Sequence, residues 1–192
     1  MKKDSFIVGK CVGKTVLDLG YVNEDLGDTL HQKILEVAKS VDGVDELPLK
    51  TGNNYYVGNV EKLEYFLPQK IYDVIVAGDI IEHVFNQGLF LDSIKIYCDE
   101  NTEIIITTPN CFSTRYTLPH YFKGKENVSP YHVLWHSEKT LRQLFGFKDF
   151  EIKEFHYRDY HRLTGIRPII KLAFKKIFKR FNCGLIFVVG VK

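Results

Sequence analysis

The chain of 192 residues is poor in everything that staples a small fold from outside its core. It has four cysteines, at positions 11, 98, 111 and 183, with no CxxC pair and no histidine cluster at zinc-finger spacing. Neither a disulfide framework nor a structural zinc site is expected, and a reducing cytosol fits. Only 6 prolines are present, and there is no linker, repeat or low-complexity tract. Disordered, collagen-like and solenoid architectures are thereby excluded. Long apolar runs are missing too: the longest stretch, around Leu185 to Val189, is far short of a membrane span, and MKKDSFIVGK contains no leader-length apolar segment. A single cytoplasmic domain over residues 1–192, large enough to bury a core unaided, is the expectation.

Acidic residues vanish near the end. Residues 160–192 hold eight Lys/Arg and no Asp or Glu, leaving 18 basic residues against all 24 acidic ones before them. Within this tail Arg167 to Phe181 reads as an amphipathic helix. Ile169, Ile170, Ala173, Phe174, Ile177 and Phe178 fall on one side and Lys171, Lys175, Lys176 and Lys179 on the other. The helix either packs on the body with a solvated cationic face or meets an anionic membrane surface or lipid-linked glycan.

What the chain has in abundance is short β-branched runs alternating with helical patterns. Candidate strands are Thr15–Leu19, Ser40–Asp45, Asn54–Gly58, Tyr72–Ala77, Glu103–Thr107, Phe150–Tyr157 and Leu185–Val191. Helical spacing covers Leu26–Lys39, Asn86–Tyr97 and Ser137–Phe145 as well as the tail. Several strands are apolar on both faces, as in sheets covered by helices on each side. The pattern predicts an α/β fold: a doubly wound, mostly parallel, seven-stranded sheet with an antiparallel last strand, inserted at the sheet edge. Residues 108–136 are expected to form a long irregular segment, which in a compact domain is usually functional.

Ligands of such sheets bind beyond the carboxyl ends of the strands. The first strand ends in Asp18-Leu19-Gly20, but the GxGxxG turn of dinucleotide folds is absent. Asp18, Glu24 and Asp25 would repel a pyrophosphate and welcome an ammonium or sulfonium. Asp45 ends the second strand 25 positions after Gly20, near the spacing at which an acid holds ribose hydroxyls. Asn59 and Val60 follow the third strand, where a side-chain amide or backbone group reads an adenine edge. Gly78 and Asp79 close the fourth.

With VLDLG at 16–20, GVD at 43–45, YDVI at 72–75, Glu82-His83 and TTPN at 107–110, the chain resembles the class I S-adenosylmethionine-dependent methyltransferases, in particular their small-molecule and glycan branch. The run His132-Val133-Leu134-Trp135-His136-Ser137 adds to the resemblance. It implies a Rossmann-like methyltransferase fold with S-adenosyl-L-methionine as cofactor. Asp18 and Gly20 would lie along the methionine, Asp45 at the ribose, Asn59 and Val60 at the adenine, and Gly78 and Asp79 beside the cofactor. Two departures stand out: Val22 and an acidic stretch replace two further glycines of the turn, and Asn59 replaces an acid. The first predicts weak cofactor binding, because the backbone approaches the methionine carboxylate less closely.

Methyl transfer from a sulfonium needs alignment more than a nucleophile, and an acceptor hydroxyl gains from a general base. His83 and His132 are the first candidates, with His120 and His136 behind them. Each also reads as a histidine that merely fixes a turn. A small-molecule or glycan acceptor methylated at oxygen is expected. Nucleic acid is disfavoured, since TTPN stands where base-amino methyltransferases carry (N/D)PP(Y/F). The rival from another class is a catalytically silent methyltransferase-like binding or scaffold protein.

Overall fold

A computed structural model describes residues 2–22, 29–47, 52, 54–126, 128–158 and 179–192. The elements in chain order are α1 (Lys3–Cys11), β1 (Thr15–Leu19), α2 (Thr29–Val37), β2 (Ser40–Asp45), β3 (Tyr55–Val57), a 3-10 segment (Val60–Tyr65), β4 (Val74–Gly78), α3 (Gln87–Lys95), β5 (Glu103–Pro109), α4 (Thr114–Lys123), α5 (Glu138–Phe147), β6 (Phe150–Arg158), a 3-10 turn (Lys179–Phe181) and β7 (Gly184–Val191). The strands form one seven-stranded sheet in the order β3-β2-β1-β4-β5-β7-β6. β1 to β5 pair in parallel, and β7 runs antiparallel to both β5 and β6.

The two-residue period of the strands divides the core into two layers. Val16, Val74, Val76, Ile105, Ile186 and Val188 meet Ile7 and Cys11 of α1 and Ile34 of α2 on one face. Leu17, Leu19, Ile75, Ala77, Ile106 and Phe187 pack on the other, against Phe90, Leu91 and Ile94 of α3 and Leu141 and Phe145 of α5. Coverage of both faces explains why these strands read as near-continuous apolar runs. Side chains set the helix starts: Asn86 accepts from Leu89 N at α3, and Ser137 and Thr140 form a reciprocal capping box at α5.

β1 and β2 occupy the predicted residues, and the other strands shift by one or two. The last strand differs in place. β7 lies between β5 and β6 rather than at the sheet edge. Its residues are buried on both faces except Val191, so it needs ladder partners on each side, whereas β6, with Glu151, Lys153 and Glu154, suits an edge. Residues 108–136 are not wholly irregular, since they contain α4 between a Ser113 cap and a left-handed Gly124 (φ 58). α1 is a helix that the apolar pattern did not announce, and α2 begins at Thr29 within the described residues. Of the expected tail helix only residues 179–181 are described; the rest lies outside the described residues, as do Glu24 and Asp25.

Candidate active site

The strand order reverses between β1 and β4, and the carboxyl ends of β1, β2, β3 and β4 there carry the residues singled out above. Asp18 is buried, and its Oδ2 stands 2.8 Å from His31 Nδ1 on α2. His31 Nε2 is in turn 3.1 Å from the Tyr55 hydroxyl, and Tyr21 packs against both rings. Burial raises the Asp18 pKa, opposed by His31. Gly20 sits at φ 66, where an L side chain is strained, so the turn favours glycine; a Cβ there would also push the Ile80 side chain aside.

Asp45 accepts from the backbone at both oxygens, from Val22 N and Leu47 N at 3.0 Å each, and this holds the carboxylate at the end of β2 with lone pairs to spare. Asn59 caps the 3-10 segment that begins at Val60, its Oδ1 accepting from Glu61 N at 2.8 Å. Gly78 has no steric need to be glycine, as a Cβ would make only ordinary contact with Leu30.

Asp79 is held unlike the others. It adopts φ 56 and accepts from Lys3 Nζ at 2.8 Å and from Arg158 Nη1 at 2.7 and 3.1 Å, while Thr107 Oγ1 donates to it at 3.0 Å. Burial would raise its pKa, but Arg158 and Lys3 win and hold the carboxyl well below the usual range. α1 and β6 thus both reach the carboxyl edge of the sheet.

Three residues beyond Asp79, a second cluster forms. Glu82 is 1% exposed, and neither carboxylate oxygen has a hydrogen-bond partner among the described residues. Its backbone oxygen accepts from Val133 N at 2.9 Å and Leu134 N at 3.3 Å, which brings the 131–134 loop alongside. His132 Nε2 comes to 4.0 Å from Glu82 Oε1, and the His83 and His132 rings meet edge to face at 4.7 Å. His83 Nδ1 donates to the Tyr131 carbonyl at 3.1 Å. Burial, then the charge of Asp79, pushes the Glu82 carboxyl up to about 8. The Glu82 backbone N–H, then the Thr108 hydroxyl and the Arg158 charge, oppose that rise, although neither of the first two makes a bond of ordinary geometry to the carboxylate. Burial, then His83, lowers the His132 pKa.

Trp135 links this cluster to a cavity of about 350 Å³ lined by Cys111, Tyr116, His120, Tyr121, Glu126 and Trp135 among others. Trp135 stacks edge to face on His132 at 6.5 Å and on Tyr116 at 4.9 Å. The volume suits a small ligand. His136 stands away from this cavity, its Nε2 bonded to Gln87 Nε2 at 2.7 Å, while Asn110 ties the end of β5 to the carbonyls of Arg180 and Asn182.

No protein-family model matches the chain, and no curated protein matches its sequence. Solved structures do match. An S-adenosylmethionine-dependent methyltransferase from Archaeoglobus fulgidus aligns over 96% of this chain and 89% of its own at TM-score 0.63 and 16% identity. One from Clostridium acetobutylicum aligns over 98% and 90% at TM-score 0.65 and 10% identity. The small RNA methyltransferase HEN1 matches 99% of this chain with 25% of its own length, at TM-score 0.67 and 13% identity. The fold is therefore that of S-adenosylmethionine-dependent methyltransferases, with the single antiparallel strand second from the edge.

Asp18, Gly20, Asp45, Asn59, Val60, Gly78 and Asp79 share the carboxyl edge, and His83 and His132 meet beside it. Sequence reasoning passed over four residues of this region: Glu82, Lys3, Arg158 and His31. Only Glu82 left a signal, as the residue preceding His83.

Proposed function

We propose that the chain is a methyltransferase that uses S-adenosyl-L-methionine and acts on a hydroxyl of a small-molecule or glycan-type acceptor. The observation that carries this reading is the gathering of Asp18, Gly20, Asp45 and Asn59 at the switch point of a methyltransferase fold, with a cavity of about 350 Å³ beyond the end of β5. The donor set suits the cofactor. Asp45 keeps lone pairs for ribose hydroxyls, the Asn59 oxygen has a second lone pair beyond its cap bond, and buried Asp18 favours a cation nearby.

When bound, the cofactor supplies a methyl group already activated by a sulfonium. The chain then has to orient the acceptor, exclude water and take charge of its proton, and alignment alone contributes about 7–11 kcal/mol. The aromatic walls of the cavity, Tyr116 and Trp135, orient the acceptor. His83 and His132 would take its hydroxyl proton, a role worth roughly 100- to 10,000-fold in rate. Burial keeps His132 neutral at neutral pH, the state that accepts a proton.

Calorimetric titration with S-adenosylmethionine and S-adenosylhomocysteine tests the reading. Micromolar dissociation constants, about −8 kcal/mol, weakened roughly tenfold in Asp45→Ala, are expected. The alternative, a silent binding module, draws on one observation: the Lys3 ammonium already occupies Asp79. Absence of binding for both compounds near about 1 mM would decide for that module. An acceptor screen sets hydroxylated small molecules and glycans against small RNA, the substrate that HEN1 is named for.

A further inference from the structure

Glu82, His83 and His132 present a carboxylate oxygen and two imidazole nitrogens that all lie within 4.8 Å of one another. We infer that these three side chains form a binding site for one divalent transition-metal cation, with the Trp135 wall of the acceptor cavity beside it.

The strongest argument is Glu82 itself. A carboxyl group 1% exposed, with both oxygens unbonded, is costly in either protonation state, and buried carboxyl groups are otherwise hydrogen-bonded, paired with a cation or coordinated to a metal. Of the charges that act on Glu82, Asp79 is an anion and raises its pKa, and the Arg158 guanidinium, which lowers it, is already engaged with Asp79. A cation of charge two placed among Glu82, His83 and His132 supplies the missing partner. The buried Nδ1 of His132 is likewise without a partner.

Ligand orientation agrees. His83 donates its Nδ1–H to the Tyr131 carbonyl, which fixes the tautomer and leaves the Nε2 lone pair free, as in metal-binding histidines held by a backbone oxygen. Val133 N and Leu134 N bond the Glu82 carbonyl and thereby hold the loop that carries His132 against Glu82. Around a bound ion at about 2.1 Å, ligand atoms stand roughly 3–3.5 Å apart. The 4.0 Å between His132 Nε2 and Glu82 Oε1 has to close by roughly 0.5–1 Å on binding.

Two nitrogens and one oxygen select zinc, manganese, iron or cobalt over magnesium or calcium, which prefer oxygen alone. Three protein ligands leave coordination positions open, and Trp135, in contact with His132, lines the acceptor cavity. Resting on the methyltransferase reading, the role of the ion is to coordinate the acceptor oxygen and make its proton easier to lose to water. His83 and His132 then act as ligands rather than as the proton acceptors themselves.

Titration of tag-free, chelator-stripped protein with Mn²⁺, Zn²⁺ and Co²⁺ tests the site, with Mg²⁺ as comparison. One ion per chain is expected, with a visible Co²⁺ absorption band and a rise in Tm. Glu82→Gln and His132→Gln should each weaken binding at least roughly tenfold. Glu82→Gln keeps the shape and removes the buried, ionisable carboxyl group, so its metal-free Tm should hold or rise. Saturable binding lost in both variants supports the site. No binding up to about 1 mM, or binding unaltered in both variants, overturns it. S-adenosylhomocysteine binding, measured on the same proteins, separates the two readings: cofactor without metal leaves the methyltransferase and removes the metal site, and metal without cofactor does the reverse.

Discussion

Replacing Asp79 by Asn removes one negative charge from between two cations and changes little else. Asn tolerates the left-handed conformation at φ 56, so the backbone is not the variable. Arg158, 14% exposed at its side chain, bonds both carboxylate oxygens, and Lys3, 22% exposed, bonds one of them. Asp79 is 29% exposed, so the cost lies between that of breaking a surface pair, about 0–1 kcal/mol, and a buried one, about 3–5 kcal/mol. We expect a loss of about 2–3 kcal/mol, which in a domain of this size lowers Tm by roughly 4–12 °C. Lys3→Met, which leaves the Arg158 pair intact, should cost about 1 kcal/mol or less. Arg158→Met added to Asp79→Asn should recover part of the loss, because no unpaired guanidinium remains. Asp149→Asn, at the other non-glycine residue with positive φ among those described, is the control.

The sign of the pH dependence follows from the depressed folded pKa of Asp79. Its contribution is complete above the unfolded carboxyl pKa near ~3.9 and is lost as pH falls through the folded value. Scanning calorimetry at pH 7 and at pH 3 reads both effects. A loss below about 1 kcal/mol at pH 7, or one equal to that of Asp149→Asn, would refute the clamp.

Two further changes test the site and its supports. Gly20→Ala forces an L residue to φ 66 and drives its Cβ against the Ile80 side chain. Thermal unfolding should show a loss of about 1–3 kcal/mol and calorimetry a weaker S-adenosylhomocysteine; an unchanged affinity counts against the β1 turn as part of the cofactor site. His136 is buried and its pKa lowered by that burial, so it stabilises the fold fully above about pH 6.5 and less as pH falls toward its folded value, by at most ~1.4 kcal/mol per pH unit. Tm should therefore fall between pH 7 and pH 5 more steeply in the native chain than in His136→Gln, and parallel slopes would contradict the assignment.

How far a feature shows in the sequence follows its burial. β1 and β2 stand at their predicted residues because their apolar positions line two covered faces. α4 left no trace, since none of its residues is buried and Pro119 lies inside it, so no apolar stripe marks its period. α1 buries only Ile7 and Cys11. A stripe of two residues is too little to separate a helix from an exposed terminus.

The alternation of strands and helices, the parallel sheet with one antiparallel strand, and the acid and glycine positions at the strand ends are legible in the chain alone. These follow from periodicities of two and 3.6 residues, which are local properties of the chain. The meeting of Lys3 and Arg158, 76 and 79 positions from Asp79, on that one carboxylate is a product of the folded chain. So is the approach of His132 to a Glu82 carboxylate with no hydrogen-bond partner among the described residues. Such pairings depend on strand order and on where loops land after the sheet is built. Charges and ligands distant along the chain carry no period that would announce their meeting.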